Sequence, residues 1–246
     1  MKDWKKGIRE FFFPPRCIIC DEVLTLEERD EKLCAKCLAH IPFLEGEQCV
    51  QCGRTIAHKA VCERCALEDF PFSMGAAAFS YRVMRKPIAY FKFQGYRYDG
   101  MELGGLMAEY LKQRFPDWIE WTDVMAAVPL HPKKQKKRGF NQADLLCRRI
   151  SAETGIAYMP DLLRRMVHTK PQSSLGAAQR RENLKGVFAL AEGVCVEGKH
   201  ILLVDDIFTT GSTLRECSRT LLRAGAAEVR VFCLSVVEQE EESHSV

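Results

Sequence analysis

Eight cysteines between positions 17 and 65 fall into four Cys-x-x-Cys pairs, Cys17/Cys20, Cys34/Cys37, Cys49/Cys52 and Cys62/Cys65. Two thiolates three residues apart on a tight turn present both sulfurs to one ion at about 2.3 Å, and two such turns complete a tetrahedral shell. Zinc is the metal this donor set points to, and Gly53 after Cys52 suits a turn that aims backbone N–H groups at the sulfurs. Sequential pairing closes the shortest loops, costs the least chain entropy and gives two successive zinc ribbons. An interleaved, RING-like pairing also satisfies the spacing. Redox dithiols fit less well, because such motifs come singly beside a βαβ pattern. Segment 17–65 is too short and too polar to fold alone, so metal binding is its expected folding energy.

The chain opens Met1-Lys2-Asp3-Trp4-Lys5-Lys6, without the apolar core of a secretory signal, and nowhere holds the roughly 20 apolar residues of a membrane span. A cytoplasmic location is expected, where 12 cysteines do not form a disulfide framework. Cys147, Cys195, Cys217 and Cys233 lie in apolar surroundings and read as core residues.

The formal net charge is only +3, but it is unevenly spread. Residues 121–190 carry 13 basic and 5 acidic side chains, and residues 191–246 carry 5 and 10. That asymmetry suggests an anionic ligand for the first stretch and a cation for the second. Two tetrathiolate zinc sites would bring the whole chain to about −1.

From about residue 73 strand and helix patterns alternate, which argues for a mostly parallel α/β sheet flanked by helices. The expected boundaries are a small zinc-ribbon domain over 1–70 and an α/β domain over 71–246. Residues 91–98 read as a turn or loop, 102–115 and 142–154 as helices, with Asn141 capping the second, and 214–224 as another helix. Strands are expected at 124–130, 201–204 and 229–237, and the tail 238–246 reads as frayed.

The sharpest chemistry sits in Ile201-Leu202-Leu203-Val204-Asp205-Asp206-Ile207-Phe208-Thr209-Thr210-Gly211-Ser212-Thr213-Leu214. An apolar strand delivers two carboxylates to the end of the sheet, where open α/β folds bind ligands. Thr209, Thr210, Gly211, Ser212 and Thr213 then lead into a helix whose N–H groups and positive dipole end make a phosphate cradle. Carboxylates beside a phosphate cradle suit a phosphorylated sugar, with Asp205 and Asp206 accepting from ribose hydroxyls or fixing Mg²⁺ through water. Upstream, Gly193-Val194-Cys195-Val196-Glu197-Gly198-Lys199-His200 imitates a P-loop, but His200 replaces the Ser/Thr ligand and the run precedes its strand; it reads as a turn.

The run 204–213 resembles the signature of type I phosphoribosyltransferases, which bind phosphoribosyl pyrophosphate (PRPP). The chain as a whole is similar to the ComF family: it carries Lys92-Phe93 with Gly95, Val128-Pro129-Leu130-His131, Arg138-Gly139-Phe140-Asn141-Gln142, and Gln172, Leu175, Arg180, Asn183, Leu184 and Phe188 in that family's order. The resemblance implies a type I phosphoribosyltransferase-like parallel sheet with an N-terminal double zinc ribbon. It implies catalytic roles for Asp205 and Asp206, a diphosphate role for His131, and positive charge from Lys92, Arg138 and Arg180 for the leaving pyrophosphate or for nucleic-acid phosphates. Residues 168–181 would be the lid that excludes water. It also implies natural transformation: handling of incoming single-stranded DNA in the cytoplasm, with PRPP, Mg²⁺ and two zinc ions bound, beside a competence DNA translocase ATPase.

Lys133, Lys134, Lys136, Lys137 and Arg138 form the densest basic run. A solvated loop is the plain reading; contact with nucleic-acid phosphates is the functional one. Phe91, Phe93, Tyr96 and Tyr98 alternate nearby, as stacking platforms or as packing. No hood element for a base or amine acceptor is recognisable. A PRPP sensor or scaffold without catalysis follows from that lack as one alternative function; a metabolic phosphoribosyltransferase acting on an unidentified base or amine is the other.

Overall fold

The structure, a computed structural model, describes residues 14–30, 32–57, 60–93, 97–166 and 186–238, and of residues 91–93 and 97–99 the backbone alone. Two short helices, α1 (Ala35–Ala39) and α2 (Glu63–Ala66), follow Cys34 and Cys62 within the cysteine-rich segment. The elements after them are β1 (Met74–Ser80), α3 (Tyr81–Phe93), α4 (Arg97–Arg114), α5 (Pro116–Trp121), β2 (Val124–Ala127), α6 (Pro132–Arg138) and α7 (Gln142–Thr154). Then come β3 (Leu163–Arg165), β4 (Phe188–Leu190), β5 (His200–Phe208), α8 (Ser212–Arg223) and β6 (Glu228–Val236).

The main sheet has the order β1-β6-β5-β2, and all its neighbours run parallel. β5 and β6 at its centre are apolar on both sides, as a sheet covered on both faces requires. Side chains alternate between faces. Leu202, Val204, Phe232 and Leu234 pack with Leu103, Met107 and Leu111 of α4 and Leu146 and Ile150 of α7. Ile201, Leu203, Val229, Val231 and Cys233 pack on the other side with Leu214, Cys217 and Leu221 of α8. β3 and β4 form a separate antiparallel pair.

The two ribbons join different faces. Cys17, Ile18, Ile19, Leu24, Leu33 and Cys34 belong to the core under α4 and α7, and Cys49, Cys52, Cys62 and Cys65 to the core under α8. β1 reads Met-Gly-Ala-Ala-Ala, and its small residues let the second ribbon's backbone lie directly on it. A Cβ added to left-handed Gly53 (φ +73°) would collide with the backbone of Ala76 and Ala77, and one on Gly75 with the Gln51 carbonyl.

Several sequence expectations are corrected. Residues 91–98 are not one loop: α3 continues to Phe93 and α4 begins at Arg97, five residues before the expected start. The basic run is a helix, because Pro132 at its first position, the His131 side chain accepting from Lys133 N, and left-handed Gly139 (φ +80°) cap both its ends. β2 stops at Ala127, while β5 runs past Val204 to Phe208 because β6 continues to pair with it, Ile207 with Ser235 and Phe208 with Val236. Cys195 is exposed, whereas Cys147, Cys217 and Cys233 are buried as expected. α7 keeps the expected bounds, with the Asn141 side chain accepting from Ala143 N. In the P-loop-like run turns fall at 192–193 and 197–198, and His200 already opens β5. The expected lid, Arg180 and the tail from 239 onward lie outside the described residues.

Candidate functional site

The cysteines form two groups, Cys17/Cys20/Cys34/Cys37 and Cys49/Cys52/Cys62/Cys65, and within each all ligand atoms lie within 4.8 Å of one another. Sequential pairing is therefore the one adopted. The Cys20 and Cys34 sulfurs are 3.6 Å apart and those of Cys52 and Cys62 3.9 Å. A tetrahedron of Zn–S bonds of about 2.3 Å has edges of about 3.8 Å, so both groups fit zinc. The first is open to solvent at Cys20; the second is wholly buried. There hydrogen bonds from Cys52 and Cys65 hold the Cys49 thiol far below its ordinary range, and the bond to Cys49 pushes Cys52 up to about 12. Four neighbouring sulfurs cannot all ionise without a cation among them. Cys62 N donates to Cys49 Sγ at 3.3 Å, and the buried Arg54 donates through Nη1 to Cys62 Sγ at 3.7 Å.

The second site forms where β2 ends and β5 goes on. Ala127 pairs with Val204, Val128 N still reaches the Val204 carbonyl at 2.9 Å, and the chain then turns away through Pro129. Among the described residues, β2 pairs with β5 no further than Val204, short of residues 205–208 at the carboxyl end of the sheet. Asp205 and Asp206 occupy that end, both partly exposed. Successive strand residues point to opposite sides, so the two carboxylates flank the strand end rather than standing side by side. Asp205 Oδ1 accepts from Asp206 N at 2.8 Å, and the Asp206 carbonyl accepts from Ser235 Oγ at 3.3 Å, which fixes the backbone between them. Burial pushes the Cys217 and Cys233 thiols well up, and the Asp205 charge adds to this; both remain neutral core groups.

After Phe208 the loop 209–213 turns into α8. Gly211 is the N-cap, left-handed at φ +70°, and brings no side chain to the helix end. Thr210 Oγ1 and Ser212 Oγ lie 2.8 Å apart, and Ser212 N leans on Thr210 Oγ1 at 3.4 Å. Twelve residues of helix behind this loop place a positive dipole end beside the carboxylates.

β2's continuation forms the opposite wall. Asn141 Nδ2 donates to the Val128 carbonyl at 2.9 Å while Oδ1 caps α7, so one side chain ties the start of α7 to the end of β2. Buried His131 accepts from Lys133 N at Nδ1, which in the neutral ring leaves the proton on Nε2. Half-buried Arg138 donates to Gln142 Oε1 at 3.0 Å; burial lowers its basicity, and the Asp206 charge works the other way. The structure thus brings Arg138 towards Asp206. Lys133, Lys134, Lys136 and Lys137 project into solvent along α6. Lys92 lies in the last turn of α3.

Residues 8–66 match the family described as double zinc ribbon domain, and residues 155–245 the phosphoribosyl transferase domain. The chain is 33% identical over 227 residues to the "DNA utilization protein YhgH" of Salmonella typhimurium, covering 90% of this chain and 96% of that protein. It is 32% identical over 230 residues to "Competence protein F" of Haemophilus influenzae, covering 91% and 98%. The chain belongs to the ComF family.

The ComF assignment extends to "Competence protein ComFC" of Bacillus subtilis, 27% identical over 241 residues and covering 89% of this chain and 93% of that one. Among solved structures, a glutamine PRPP amidotransferase from B. subtilis is 26% identical at a TM-score of 0.37 over 55% of this ComF chain. The chain spans about a quarter of that enzyme, 26% of its length.

Sequence reasoning missed Arg54, Glu68, Phe70 and Arg215 around these two sites. The only local signal was the Phe70-Pro71-Phe72 run, an unusually aromatic connector for a ribbon's exit.

Proposed function

We propose that this chain binds PRPP with Mg²⁺ at the carboxyl end of β5 and acts in natural transformation on incoming single-stranded DNA in the cytoplasm. The observation that carries the first half is the continuity of β5 with the loop. Asp205 and Asp206 lead directly into the Gly211-started helix, which puts acceptors for sugar hydroxyls beside N–H donors for a phosphate. Asp205, Asp206 and the Thr209–Thr213 loop hold the ribose 5-phosphate, and His131 and Arg138 face the diphosphate. Carboxylate oxygens are the ligands Mg²⁺ prefers, and the ion supplies charge neutralisation on the diphosphate. Arg138 adds a fixed positive charge to that end.

The transformation role is supported by the competence names of the Haemophilus and Bacillus relatives and by the YhgH description. α6 follows the end of β2 and carries four exposed lysines, which would draw a phosphate backbone to the crevice. A competence translocase ATPase is the expected neighbour. Calorimetry with PRPP and Mg²⁺ tests the site: wild type binds and Asp206→Asn does not. Single-stranded DNA titrated at several salt concentrations, with and without PRPP, tests the shared surface: competition supports it, and additive binding assigns DNA elsewhere.

A further inference from the structure

The segment that leaves the second zinc group runs directly behind the phosphate loop. Glu68 N donates to the carbonyl of the metal-group residue Cys65 at 3.1 Å. Its carboxylate Oε2 accepts from Arg215 Nη2 at 2.6 Å, with the two side chains only 24% and 9% exposed. Arg215 sits in the first turn of α8, and its own N–H donates to the Gly211 carbonyl at 2.8 Å. The guanidinium carbon lies 4.6 Å from the Phe70 ring centre. Phe70 stacks on Phe72 at 4.9 Å and meets the edge of Phe208 at 6.0 Å. A Cβ on Gly211 would stand 2.7 Å from Phe70 Cε1 and 2.8 Å from Phe208 Cζ. The loop's left-handed residue is thus wedged between an aromatic from the ribbon connector and one from the end of β5.

We infer that Glu68 and Phe70 are positioning residues for the phosphate loop, and that through them zinc in the second group and PRPP in the crevice bind cooperatively. The inference rests on the PRPP reading above. A loop that must be ordered at the moment of binding forfeits backbone entropy at each residue it fixes. A loop already clamped from behind does not. The clamp is itself a short connector of polar and aromatic residues, held at one end by Cys65 and therefore by the ion that Cys65 helps to bind. Among the described residues the first zinc group shows no comparable route: Cys17 and Cys34 pack in the core on the opposite face of the sheet. Coupling of this kind is reciprocal: whatever factor zinc adds to PRPP affinity, PRPP adds to zinc retention.

The test uses the full-length, zinc-loaded chain. PRPP with Mg²⁺ is titrated calorimetrically into wild type, Glu68→Gln, Phe70→Leu and the charge-swapped double variant Glu68→Arg/Arg215→Glu. In parallel, zinc release to a chromogenic chelator is timed with and without saturating PRPP. The expected result is a dissociation constant raised roughly 5- to 50-fold in each single variant, within the usual range of coupling, and partly restored in the swap. In wild type, PRPP slows release of one of the two zinc ions, and in Glu68→Gln it does not. A merely structural role for Glu68 would lower thermal stability without removing that protection. If wild type binds no PRPP, both the site reading and the coupling fall. If wild type binds PRPP but Glu68→Gln binds it equally well, or zinc release ignores PRPP throughout, the coupling alone falls.

Discussion

Arg54 Nη1 donates to Cys62 Sγ at 3.7 Å, so a residue only 5% exposed sets its guanidinium against a sulfur of the second zinc group. The same guanidinium donates through Nε to the Val237 carbonyl at 3.2 Å, just past the end of β6. A zinc-bound thiolate keeps partial negative charge, so Arg54 is a buried counter-charge as well as a tie between ribbon and sheet. Arg54→Ala would leave both acceptors without this donor and should cost about 3 kcal/mol. Denaturant unfolding should show the midpoint fall at constant slope, and Arg54→Lys should recover only part, since an ammonium cannot span both acceptors as the planar fork does.

Native mass spectrometry should count two zinc ions per chain. Cys49→Ser should remove one and leave the other, because the two groups share no ligand. Since bound cysteines must be thiolates, acidification should release zinc, from the solvent-open first group before the buried second. A single cooperative loss of both ions on mutating one group would contradict the separate placement of the ribbons.

Gly211→Ala places a side chain in a left-handed conformation, at about 1–2 kcal/mol, and drives its Cβ against Phe70 and Phe208. Overpacking adds roughly 1–3 kcal/mol. The expected outcome is a melting temperature lowered by several degrees and PRPP affinity reduced at least tenfold, read by calorimetry at a temperature where the variant is folded.

Replacing Lys133, Lys134, Lys136 and Lys137 by glutamine should leave stability within about 0.5 kcal/mol, because all four are exposed residues. Binding of single-stranded DNA should weaken. Its log–log salt slope should shrink by about 0.7 for each lysine that meets a phosphate, measured by fluorescence anisotropy. An unchanged slope would remove α6 from the DNA surface.

Much of the site was legible because its signals are local. The caps of α7, the succession of strand, carboxylates, hydroxyl loop and helix at 201–214, and the cysteine turns each depend on residues a few positions apart. Of the errors, one has a local cause and one does not. The lysine run looks like a loop on charge alone, yet Pro132 and Gly139 cap it into a helix. The strand seemed to stop where its apolar run stopped, yet the pairing of Ile207 with Ser235 carries it to Phe208.

The sequence by itself determined that there are four metal knuckles and that a carboxylate-bearing strand feeds a phosphate-type turn, since spacing within one element dictates which groups can converge. It did not determine which knuckles share an ion, nor that Glu68 and Arg215, 147 positions apart, would meet. Those contacts exist because β1, lined with glycine and alanine, lets the second ribbon settle on the face of the sheet that also carries α8. Only the packing of the sheet decides which distant residues become neighbours, because no local preference of the backbone encodes the partner on the far side of a core.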